Sequence, residues 1–242
     1  MKKATKILAV VMAMVLCVCI GVGATLAWLT DRTEEVVNTF APTKLINPDP
    51  DPHDDDKKAG FDIWEHKATT NADGSTALVD PENKKAPDQF PGESALVKLN
   101  KYERVLPGVD QMKDPFVRIK AQEDAYVYVE IVDKLPDTMT WAIDNANWEE
   151  ITVSDAPHGG RVFKYIGTIQ DVAGYITPGM GAQDINILKD TKVVVDKAFT
   201  PESLKPGQTD TLTFYAYAAQ YAGQDTAEIA WNNAGFKTGI QK

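Results

Sequence analysis

The sequence predicts an all-β chain, an antiparallel sandwich with one short C-terminal helix and an irregular insertion. Three observations predict it. Short runs of β-branched and aromatic residues recur from residue 101 onward. The clearest, Tyr126 to Val132, alternates strictly, with Val127, Val129 and Ile131 on one face and Tyr126, Tyr128 and Glu130 on the other. Gly/Pro turns separate the runs: L-P-G at 106–108, H-G-G at 158–160, T-P-G at 177–179 and K-P-G-Q at 205–208. One stretch alone stands out as helical, from about Asp225 to Ala234. Many short strands with evenly spaced turns point to a sandwich.

Taken in order, the chain opens as a secretory leader. Lys2, Lys3 and Lys6 form a positive start and Ile7 to Gly23 an apolar run. Thr25 and Ala27 are small residues at positions −3 and −1 of a cut after Ala27, which makes Trp28 the first mature residue. The alternative is an anchor that stays attached, although about 17 apolar residues lie at the lower limit for crossing a bilayer. Cys17 and Cys19 are the only cysteines, and both lie in the apolar run. Each follows a large residue, Leu16 or Val18, rather than the small one a lipid-anchor site wants. Once cut, the chain has no cysteine, so packing or assembly must hold it together.

Residues 1–27 carry three of the 25 basic side chains and none of the 35 acidic ones. The mature chain then has 22 basic and 35 acidic groups, a net charge of −13. That excludes nucleic acid and anionic lipid as natural partners, because counterion release needs basic clusters. The charge also keeps single subunits soluble. The membrane is a partner only before cleavage.

Residues 28–46 form an N-terminal arm with modest β character. The run N-P-D-P-D-P-H-D-D-D-K-K (residues 47–58) cannot make a strand or helix interior, so 47–60 is an extended acidic linker. Residues 61–242 form the sandwich domain, with 61–100 as an insertion of short hairpins around turns such as N-A-D-G (residues 71–74). Further strands are expected at 161–166, 185–188, 192–195 and 211–217, the last with Leu212, Phe214 and Ala216 on one face. For the helix, Asp225 with Glu228 suits a capping box and Gly235 a C-terminal stop. Ala227, Ala230, Trp231 and Ala234 give it an apolar face, with Trp231 as the anchor.

The join between leader and arm resembles that of the TasA/camelysin-type proteins, exported by Gram-positive bacteria through a SipW-type signal peptidase. The residues that carry the resemblance are Gly21 to Ala27, Trp28, Thr30-Asp31 and Asn38-Thr39-Phe40. V-L-P-G-V-D-Q-M-K-D-P-F-V-R-I-K (105–120) and L-T-F-Y-A-Y-A-A-Q-Y (212–221) with Ala230-Trp231 are similar to later parts of that family. The segment 47–100 has no counterpart there. The resemblance implies a jelly-roll sandwich that polymerises into extracellular fibres of a biofilm matrix. It also implies that the mature arm is a donor strand completing the sheet of the next subunit. In an extended arm Val36, Asn38 and Phe40 share one face, so Phe40 and Val36 are the candidate anchors, with Trp28 or Leu29 as a second contact.

Catalytic chemistry finds little footing. A zinc peptidase needs two His four apart on a helix with a Glu between them. The three histidines, His53, His66 and His158, share no such spacing and read as exposed loop residues. The Asp49–Asp56 run offers carboxylates for calcium but no Gly-bearing loop of fixed spacing. L-P-D-T-M (135–139) is a strand connection, and no cofactor fingerprint is present. A surface β domain is a natural setting for an intramolecular Lys–Asn cross-link, but the sequence does not choose a pair.

The expected function is therefore that of a secreted structural subunit of an extracellular matrix or cell surface. Its expected partners are other copies of itself, head to tail, the SipW-type peptidase, and further matrix subunits. The alternatives are a secreted monomeric β-sandwich adhesin and, behind it, a camelysin-like metallopeptidase.

Overall fold

A computed structural model of the chain describes residues 31–32, 61–85, 90, 92–102, 104–200, 203 and 211–236. In chain order the strands are β1 (Asp31–Arg32), β2 (Phe61–His66), β3 (Ala68–Thr70), β4 (Thr76–Leu78), β5 (Leu96–Val97), β6 (Gln111–Met112), β7 (Phe116–Ile119) and β8 (Ala125–Asp133). They continue with β9 (Met139–Thr140), β10 (Trp148–Ile151), β11 (Arg161–Tyr165), β12 (Thr168–Ile169), β13 (Val172–Ala173), β14 (Gln183–Asn186), β15 (Lys192–Val195) and β16 (Leu212–Gln220). Helix α1 spans Ala227–Ala234. The fold is mostly strand in several antiparallel sheets, with one short helix among the described residues.

Two sheets dominate. The first has the order β1-β16-β8-β11-β10 and the second β14-β7-β2-β5. One apolar core joins their facing sides. Val127, Val129, Ile131, Phe163, Phe214, Ala216 and Ala218 come from the first sheet, and Phe61, Ile63, Val117, Ile119 and Ile185 from the second. Strand alternation delivers these residues to one side and their neighbours to the other. Val127, Val129, Ile131 and Phe214 are buried inward as the sequence predicts, and Leu212 packs half-buried at the core margin.

The first sheet's outer side is also covered. Tyr128, Val162, Tyr215, Tyr217 and Ala219 pack there against Ala227, Ala230 and Trp231 of α1. Trp231 stands edge-on to Tyr128 and Tyr217, at 5.1 Å from each ring. The anchor role read from the sequence is thus occupied. The cap differs by one residue: Thr226, not Asp225, is the N-cap, and its hydroxyl accepts from Ile229 N–H at 3.2 Å. Thr226 has the extended backbone an N-cap needs. Glu228 then falls at the second helical position and reaches Lys164 of β11 at 2.9 Å instead of closing a box. Gly235 takes the left-handed conformation that ends the helix.

The largest departure from the sequence reading is β2. Phe61–His66 heads the segment expected to be an irregular insertion, yet it pairs with β7 and β5 inside the second sheet, and all six residues are buried. Its polar residues hid it. Asp62, Trp64 and His66 face a second buried layer, so no solvent-facing side marks the strand. His66 is accordingly not an exposed loop residue: its N–H and Nδ1 meet the two carboxylate oxygens of Asp114 at 3.0 and 2.6 Å. The N-A-D-G turn does link a hairpin, β3 to β4, with Gly74 at φ +81°.

Candidate assembly edge

The candidate site is the outer edge of β16. On one side β16 pairs with β8 over nine positions, from Leu212↔Asp133 to Gln220↔Ala125. On the other it pairs with β1 of the N-terminal arm, Asp31↔Ala218 and Arg32↔Tyr217, antiparallel. Thus the arm and the late strand, far apart in sequence, share a ladder. Thr25, Ala27, Trp28, Leu29, Val36, Asn38 and Phe40, the residues singled out from the sequence, lie outside the described residues.

What makes β16 a firm edge is its chemistry. L-T-F-Y-A-Y-A-A-Q contains no charged residue. Edges that must stay unpaired normally carry charge, proline or a bulge, so this strand is built to be covered. Ala216 and Ala218 are fully buried on the core side, while Tyr215 and Tyr217 form the outer side.

Those tyrosines are fixed by a buried carboxylate. Glu130 of β8, on the face opposite the core, is 0 % exposed. The 156–160 turn folds over it. Its Oε1 accepts from the backbone N–H groups of His158 and Gly160, each at 2.8 Å. Its Oε2 accepts from the Tyr217 hydroxyl at 2.7 Å and lies 3.1 Å from His158 Nδ1. The His158 ring stacks on Tyr215, 3.5 Å apart and nearly parallel. Beside it, the Tyr128 hydroxyl donates to Ala227 O at 2.6 Å, and burial holds its acidity well below that of a free phenol. Edge strand, turn and helix therefore form one satisfied unit, which is what buried polar groups require.

Gly160 is the tight point. A Cβ there would stand 2.6 Å from Ile131 O and 2.9 Å from Glu130 Cγ. Gly160→Ala is expected to cost about 1–3 kcal/mol by overpacking, read as a lowered urea midpoint with an unchanged slope.

His53 lies outside the described residues; the other two histidines serve different sheets, His66 on β2 and His158 against β8 and β16. Among the described residues no three His, Cys, Asp or Glu side chains group as metal ligands. The sequence reading missed β16 as the receiving strand. Its unbroken uncharged run becomes a signal only once the topology sets β16 beside β1. No family model, curated protein or solved structure matches the chain.

Proposed function

We propose that the chain is a secreted structural subunit that polymerises by donating its N-terminal arm to the β16 edge of the next copy. The observation that carries this is the β1–β16 ladder: a two-residue piece of the arm already recognises an uncharged, firmly backed edge. A ladder made within one chain can equally be made between chains, as in domain swapping, and a head-to-tail swap does not close. The Pro- and Asp-rich composition of 47–58 favours an extended connection, which lets the arm reach outward. A neighbour's arm docked in the register of Asp31–Arg32 brings Val36 opposite Thr213 and carries Phe40 just past Leu212. The resemblance to TasA/camelysin-type proteins supports the same reading, and with it a jelly-roll topology and a biofilm-matrix setting.

Cleavage after Ala27 is the trigger in this scheme, because the uncut arm is tethered at the membrane. N-terminal sequencing of exported protein is expected to begin at Trp28. A start within 30–40, or an uncut chain in the membrane fraction, would contradict it.

The ladder within a single chain also favours a second reading, a monomeric secreted adhesin whose arm closes its own sheet. A monodisperse species with the arm intact, over a wide concentration range, would select it.

A further inference from the structure

We propose that Lys98 and Asp62 join through their side chains in an intramolecular amide bond. The inference is independent of polymerisation.

Asp62 sits on the outer side of β2, with its side chain 4 % exposed, and Lys98 lies just beyond β5 with its side chain 20 % exposed. Lys98 Nζ is in direct contact with Asp62 Oδ1 and donates to Ile63 O at 2.8 Å. The Trp64 ring covers the amine, its centroid 3.6 Å from Nζ, and is itself buried. Arg118, the ladder partner of Asp62, turns its guanidinium to Asp184 at 2.6 and 2.9 Å and to Lys84 O at 2.7 Å. The amine and the carboxylate are thus held together in a site from which water is largely excluded.

Two physical effects favour condensation there. A buried ion pair bears the desolvation of both charges, and an amide carries neither. Fixed contact between the amine and the carboxyl group lowers the entropic cost of meeting. The Ile63 N–H donates to Asp62 Oδ1, where negative charge develops during attack.

The step balances without any co-reactant. A proton passes from the Lys98 ammonium to the Asp62 carboxylate, giving an amine and an acid. The Nζ lone pair forms a bond to Cγ, and the carbonyl electron pair moves onto Oδ1. A proton then transfers from nitrogen to the other oxygen. The bond from Cγ to that oxygen breaks, water leaves and the carbonyl re-forms. One ammonium and one carboxylate yield one amide and one water, with nothing oxidised or reduced.

The product would tie β2 to the segment after β5 and close a covalent loop in a chain whose only cysteines, Cys17 and Cys19, lie in the expected leader. Such a tie restricts the unfolded state as a disulfide does.

The test is the intact mass of the folded full-length or mature chain after denaturation, followed by peptide mapping. The expected result is a mass one water below that of the sequence, with a branched peptide joining the Asp62 and Lys98 fragments. Lys98→Arg, which keeps the charge, and Asp62→Ala are both expected at full mass. Full mass in the unmodified chain, with both fragments recovered separately, overturns the proposal. So does a water loss that persists in Lys98→Arg, which would place the dehydration elsewhere, as at the Asp73-Gly74 step.

Discussion

Removing residues 28–41 is expected to abolish fibre formation while leaving a folded, soluble subunit. Among the described residues the core is built from β2, β7, β8, β11, β14 and β16, and on that frame the sandwich is expected to fold without the arm. What is lost is the strand that pairs with Ala218 and Tyr217, and with it the ladder proposed to join subunits. A main-chain ladder supplies affinity in strand addition, and pockets for alternate side chains supply specificity. Phe40→Asp is the milder test. If Phe40 anchors in an apolar pocket, an unpaired charge there costs about 3 kcal/mol or more, roughly a hundredfold in subunit affinity. Electron microscopy and sedimentation of both variants, at the same salt as the parent, check this. Normal fibres from both would sink strand donation, even for a protein that still belongs to a matrix. The salt must be matched because the net charge of −10, or −13 after the expected cleavage, makes association sensitive to screening.

The second large effect is expected in the core. Phe214 is 2 % exposed on β16's inward face, among residues of both sheets. Phe214→Ala is expected to cost about 3–5 kcal/mol, since it removes a large apolar side chain and leaves a cavity the rigid sheets cannot close. Leu212, half-buried at the margin, is the internal control, and Leu212→Ala is expected to cost clearly less. Chemical denaturation of the monomeric, arm-deleted chain measures both without interference from assembly. Equal costs at the two positions would mean that the shared core is not where the strand pattern puts it.

These two experiments also mark what the sequence could reveal. β8 and β16 were legible because their faces differ in kind. Val127, Val129 and Ile131 contrast with Tyr126, Tyr128 and Glu130, and the inward set is what the core contains. The helix was legible from Trp231 and Gly235, and only the cap slipped, because Asp225 and Thr226 are both competent caps. β2 was not legible. A strand buried on both sides by partnered polar residues, Asp62 and His66 among them, leaves no alternation between water and core. Glu130 lies on the face the alternation gives it, but its burial was not legible, because a remote turn, His158 to Gly160, covers it and nothing local to the strand encodes that turn's position.

The proposed assembly site divides in the same way. The arm was singled out by resemblance and by its position after the leader, whereas the receiving edge required the topology. Strand order places β16 at the side of the first sheet that β1 borders, and no periodicity within 212–220 reveals which strand lies at a border. The uncharged composition of β16 becomes informative only once that position is known.

The central claim is that the ladder between the arm and β16 forms between subunits. The only cysteines, Cys17 and Cys19, lie in the expected leader, so two single substitutions in the chain beginning at Trp28 read it directly. Asp31→Cys and Ala218→Cys place one thiol on each side of the observed Asp31↔Ala218 pair. The two variants are to be mixed, polymerised and oxidised gently, then separated under denaturing, non-reducing conditions. The account predicts covalent dimers that need both variants in the mixture. Fibres that form without such dimers, together with a double variant that closes only within its own chain, would contradict it.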